Sequence, residues 1–148
     1  MGKGAPGRGR KGQVLKTYVF DAGALIALLE ETPATTKVKE LVKETLRGHS
    51  RILMSAVNYG EVYGKVLRDR GIDKAMQSMI AVGPLPIEMQ DATQQRALRA
   101  AEVKVKYRMY YADAFAAALA IEHKATLVTG DNDFRKLGQS FPVVWLKA

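Results

Sequence analysis

The 148-residue chain has no cysteine. Disulfides and thiolate-bound metals are therefore excluded, and a reducing, cytoplasmic setting is expected. Histidine is nearly absent: His49 and His123 stand alone, with no partner at ligand spacing. Both fall at the ends of predicted helices, where an imidazolium complements the C-terminal dipole. No apolar run approaches the ~18 residues of a membrane span, so no membrane association is expected. The basic start is not followed by an apolar segment within its first dozen residues, which argues against a secretory signal.

A chain of this length, 47% apolar, can bury one core. The net charge is +8, and half of it comes from Lys3, Arg8, Arg10 and Lys11. Residues 1–13 are rich in Gly, Arg and Lys with nothing to bury. They are expected to form a disordered basic arm, either an RNA-contacting tail, an added leader or a solubilising segment. Residues 14–148 are expected to form the domain. A positive balance fits a polyanionic substrate, although it also serves solubility alone.

Short β-branched runs alternate with helical periodicity. Strands are expected at 14–20, 51–54, 85–88, 125–129 and 143–146. Helices are expected at 22–31, from Thr35 or Thr36 to Leu46, at 55–70, 73–82, 91–107 and 111–124, with a short one at 131–137. Strands separated by whole helices need crossovers. The expected fold is therefore three-layer α/β/α with a mainly parallel, about five-stranded sheet. Such sheets bind ligands beyond the carboxyl ends of their strands.

Four carboxylates fall at such stations: Asp21, Glu61, Asp113 and Asp131. Each has a plain structural alternative. Asp21 can cap a helix, Glu61 can pair with Lys65 four residues on, Asp113 can favour a helix N-terminus, and Asp131 or Asp133 can cap the last short helix. Yet Asp113 interrupts a helix of alanines, Phe115 and Leu119 that reads as buried on most sides. Gathering like charges is costly unless something cationic compensates. The conjunction points to a hard divalent cation and to phosphodiester hydrolysis. Gly60 and Gly64, four apart, permit close helix approach, for the core or for a dimer contact.

The motifs are a strand followed by Asp21-Ala-Gly-Ala-Leu-Ile-Ala-Leu-Leu, Glu61 in a helix after a short strand, Tyr111-Ala-Asp-Ala-Phe-Ala-Ala-Ala-Leu-Ala, and Leu127-Val-Thr-Gly-Asp-Asn-Asp-Phe. In this order, from Lys16 to Leu146, they resemble the PIN-domain ribonucleases, and the short stand-alone chain looks most like the VapC toxins of toxin–antitoxin pairs. The resemblance implies Mg²⁺ or Mn²⁺ held by Asp21, Glu61, Asp113 and Asp131, with Asp133 nearby as a further candidate ligand; Asp21 and Asp113 are the first choices for direct ligands, and Glu61 binds a second ion or accepts a proton from water. It also implies an RNA substrate, a small antitoxin partner and a homodimer. The family often carries Ser or Thr two residues past its first Asp, where this chain has Gly23. Candidate substrate contacts are Lys104, Lys106 and Arg108, in a stretch with tyrosines able to stack bases, and Asn58, which shares a helix side with Glu61. The competing readings are an RNA-processing nuclease unrelated to toxin–antitoxin systems, and a catalytically weak or inactive RNA-binding or scaffold protein. A receiver-like signalling domain fits poorly, because Asp21 has no acidic neighbour.

Overall fold

Strands and helices alternate along the chain in the computed structural model, which describes residues 15–147. The expected arm at residues 1–13 lies outside them. The order is β1 (Lys16–Phe20), α1 (Ala22–Leu29), α2 (Thr35–Leu46), β2 (Ser50–Ser55), α3 (Ala56–Arg70), α4 (Ile72–Val82), β3 (Ile87–Gln90), α5 (Gln94–Tyr107), α6 (Tyr111–His123), β4 (Thr126–Thr129), a 3-10 helix (Asn132–Leu137) and β5 (Val143–Trp145).

The five strands form one sheet in the order β3-β2-β1-β4-β5, and every pairing is parallel. Successive residues of a strand face opposite sides, and both sides of this sheet are buried. Val19, Leu53 and Leu127 pack against α5 and α6 on one face. Phe20, Ile52, Met54 and Val128 pack against α1 and α2 on the other. All seven are 0% exposed, which explains the unbroken apolar runs of these strands. The expected α/β/α architecture is the observed one.

From β1 the chain steps outward to β2 and β3, then returns to place β4 on the other side of β1. The winding thus reverses between β1 and β4, and the crevice at their carboxyl ends is where such a sheet receives ligands. Helix α6 reaches that crevice because Ala114 to Ala120 are all buried, so small side chains seat it deep against the sheet.

Some boundaries differ from the sequence expectation. The third strand begins two residues late, because the Leu85 amide donates to the Val82 carbonyl in a turn. Helix α5 starts at Gln94 and not at 91, because Thr93 and not the alternative Asp91 caps it, accepting from the Arg96 amide. Thr35 lies inside the first turn of α2 and donates its hydroxyl to the Ala27 carbonyl at 2.7 Å. Asp73 sits in the first turn of α4, after Gly71. Gly60 and Gly64 face open space, so they make no close helix approach within this chain. His123 is 2% exposed, and burial holds its imidazole below the usual range. It is thus not the charged dipole partner expected of a histidine in a last turn. No helix among the described residues is long and apolar enough to cross a membrane.

Candidate active site

Asp21 follows β1 directly and opens α1. Its Oδ1 accepts from the Ala24 amide at 2.8 Å, a helix N-cap bond, and its Oδ2 accepts from the Thr129 hydroxyl at the end of β4. The side chain is 6% exposed. Burial, the largest influence, pushes its pKa up to about 6 despite both hydrogen bonds; Asp131 and Glu61 add repulsion. Capping and a place in the crevice coexist in one residue.

The Thr129 hydroxyl also accepts from the Asp131 amide at 2.9 Å. One buried side chain therefore ties the Asp21 carboxylate to the turn that carries Asp131. The sequence reading missed Thr129. The available signal was a hydroxyl residue closing an apolar strand just before Gly130-Asp131. At Gly130 an added Cβ would lie 3.3 Å from the Leu146 carbonyl, so the backbone just past β5 would have to give by a few tenths of an ångström. Asp131 caps the 3-10 helix by accepting from the Asp133 amide at 2.9 Å.

Asp113 stands in the first turn of α6, half-buried. Its carboxyl is likewise raised to about 6, first by burial, then by repulsion from Asp131, Glu61, Asp21 and Asp133. Oxygen atoms of Asp113, Asp131 and Asp133 all lie within 4.8 Å of one another. Asp21 and Glu61 stand outside this trio but line the same cleft, of about 450 Å³, with Asp113, Asp131, Gly23 and Lys147.

Glu61 is exposed on α3 and accepts from Asn58 Nδ2 at 2.9 Å. It does not pair with Lys65, which instead reaches Asp69 at 2.8 Å. Asn58 is 1% exposed and also donates to the Ala112 carbonyl. Its amide therefore fixes Glu61 relative to the start of α6 and presents almost nothing to solvent. At Gly23 a Cβ would sit 3.5 Å from Asp21 Oδ1, an ordinary contact, so the absent hydroxyl residue is not excluded by space.

The basic candidates lie outside the cleft, although the Arg108 carbonyl accepts from Lys136 Nζ of the 3-10 helix at 2.8 Å. Lys104 and Lys106 are exposed in the last turn of α5, and Arg108 closes that helix in the left-handed region. None of them lines the acidic cleft. Lys106 borders a larger groove of about 780 Å³ between α5 and α6, with Arg96, Tyr107 and Glu122. That groove gathers no cluster of acids. Arg96 and Glu122 within it neutralise each other at 3.0 Å, which leaves the smaller cleft as the candidate site.

Among the described residues, no Lys or Arg forms an ion pair with Asp21, Glu61, Asp113, Asp131 or Asp133. The donors are oxygens only, crowded and without an ion-pair partner among the described residues. That set fits a hard divalent cation.

The model of the PIN domain matches residues 18–139. The chain belongs to the PIN-domain family. The match spans β1 to the 3-10 helix and so contains all five acids. No curated protein matches the chain by sequence. Solved structures do resemble this PIN domain. VapBC2 from Rickettsia felis, bound to a DNA fragment from its promoter, aligns with TM-score 0.68 at 15% identity, over 88% of this chain and 99% of that one. VapC20 of Mycobacterium tuberculosis, a toxin that cleaves the sarcin–ricin loop, aligns with TM-score 0.66 at 16% identity, over 82% and 95%. A toxin–antitoxin complex from Klebsiella pneumoniae aligns with TM-score 0.64 at 20% identity, over 86% and 95%. At such identities the likeness is one of fold.

Proposed function

We propose that this PIN domain is a metal-dependent endoribonuclease and the toxin of a toxin–antitoxin pair. The observation that carries the nuclease reading is the crowding of Asp113, Asp131 and Asp133 within 4.8 Å, beside a buried Asp21, with none of the four in an ion pair among the described residues. The toxin reading is supported by whole-length similarity to VapC structures, several of them solved with their antitoxins.

In this reading Asp113, Asp131 and Asp133 hold Mg²⁺ or Mn²⁺, with Asp21 completing the set from the cleft wall. A divalent ion bound there supplies Lewis acidity toward a phosphate oxygen and lowers the pKa of water. The Thr129 hydroxyl and the Ala24 amide keep the Asp21 carboxylate aimed into the cleft. Glu61, steadied by Asn58, takes the proton of the attacking water. The products carry a 5′-phosphate and a 3′-hydroxyl; a 2′,3′-cyclic phosphate would refute this chemistry. The antitoxin covers the acidic cleft with a helix or a basic side chain, and the toxin works as a homodimer.

The test is cleavage of a mixed cellular RNA pool by partner-free protein with Mg²⁺ or Mn²⁺. EDTA should abolish it, and Asp113→Asn should lower the rate by roughly 10²-fold or more while the fold persists. An equally active Asp113→Asn protein would remove that residue from the site. No cutting with any metal would favour an RNA-binding or scaffold role.

A further inference from the structure

The chain has a single tryptophan, and it is not in the core. Trp145 ends the edge strand β5 and is 36% exposed, while the neighbouring core is filled by Phe134 and Leu137. Its register partner on β4 is Thr129, the residue whose hydroxyl holds Asp21. Register partners in a parallel pair face the same side, so Trp145 stands on the α6 side of the sheet, in line with Thr129 and the end of β1. Neighbouring strands lie about 4.8 Å apart, which puts Trp145 about 10 Å from the β1 terminus, within reach of an adjoining nucleotide. The Arg135 guanidinium, from the same turn that carries Asp131 and Asp133, lies over the indole at 4.1 Å from its centroid. Arg135 Nε donates to Asn132 Oδ1, and its two terminal nitrogens make no hydrogen bond or ion pair among the described residues. Lys147, two residues past Trp145, lines the acidic cleft itself.

An acidic cleft repels an RNA backbone, so cations must flank it, and single strands are held by aromatic or guanidinium planes beside such cations. Resting on the nuclease reading above, we infer that Trp145 and Arg135 form the platform on which an unpaired base of the RNA stacks, one strand out from the carboxylates, with the guanidinium turned to the adjoining phosphate. This puts substrate-positioning residues on β5 and the 3-10 helix, beyond the basic candidates at the end of α5.

The lone tryptophan reports directly on this. Fluorescein-labelled unstructured RNA of about 12 nucleotides is titrated with the full chain in EDTA, reading anisotropy for binding and indole emission for stacking. Expected are a rise in anisotropy with strong quenching, an affinity about tenfold lower for Trp145→Leu, a smaller loss for Trp145→Phe, and unchanged melting of both variants. A strand of the same length with abasic sugars should bind without quenching. RNA binding with unaltered indole emission, and with Trp145→Leu binding as well as the parent, overturns the platform and leaves the nuclease reading intact. If no RNA binds in EDTA but the metal-loaded protein cuts RNA, an unchanged KM for Trp145→Leu overturns the platform, and a raised KM at constant kcat supports it. Neither binding nor cutting overturns both readings.

Discussion

At the scale of single residues, the site depends on a side chain that carries no charge. Thr129 donates to Asp21 and accepts from Asp131, so one hydroxyl joins β1, β4 and the turn beyond it. Thr129→Val keeps the shape and removes both bonds. The Asp21 carboxylate, already raised to about 6, then loses a stabilising donor and rises further, and the Asp131 amide loses its acceptor. A buried group left unpaired costs about 1–3 kcal/mol. The melting temperature of Thr129→Val should therefore fall, and metal affinity should fall with it, since the ion competes with a more tightly held proton. Calorimetric titration with Mn²⁺ and a thermal melt measure the two losses. A variant that melts lower but binds Mn²⁺ as before would confine Thr129 to folding.

At the scale of elements, much was legible and the misses share a cause. The three inner strands could be read because Val19-Phe20, Leu53-Met54 and Leu127-Val128 are apolar on both faces, as a covered parallel sheet requires. The crevice could be read because Asp21 and Asp131 directly follow such runs. Tertiary contacts were not legible. Thr93 and Asp91 are both good caps by type, and the choice was settled by Arg96, which donates to the Asp91 carbonyl, to Gln90 Oε1 and to Glu122. The Glu61–Lys65 pair was plausible by spacing, yet Asn58 and Asp69 claimed the two partners. Asn58 itself ties α3 to α6 through the Ala112 carbonyl, just before Asp113. Asn58→Ala should free Glu61 and loosen the start of α6, costing about 1–3 kcal/mol of stability. Activity should fall by about 10–100-fold, as on removal of a group that orients a metal site's donors. Steady-state kinetics at a temperature well below the variant's melt separates the two effects; unaltered kcat would show that Glu61 needs no such anchor.

At the scale of the whole molecule, the acidic cleft makes stability depend on pH and on metal together. Asp21 and Asp113 both have folded pKa values of about 6, above the ordinary value of 3.8. The folded state therefore binds these protons more tightly than the unfolded chain. Below the ordinary value both states are protonated and no penalty exists. As pH rises from about 4 through about 6 the unfolded chain ionises first, and the folded state loses stability until both forms are charged. These two groups thus make the metal-free protein less stable at pH 7.5 than at pH 5.5. Asp113 is only partly buried, so solvent tempers its share, and the more deeply buried Asp21 carries most of the effect. A divalent ion held there as proposed would reverse the dependence, because it would bind only the ionised carboxylates and offset their mutual repulsion. His123, held below its usual range by burial, adds stability as pH rises through the same window and offsets part of this loss; thermal melts in EDTA should still fall from pH 5.5 to 7.5, and saturating Mn²⁺ should raise the melting temperature far more at pH 7.5 than at 5.5. In Asp21→Asn the EDTA slope should flatten, since the group with the larger burial penalty no longer titrates. Equal stabilisation by Mn²⁺ at both pH values would mean that the ion binds away from these carboxylates.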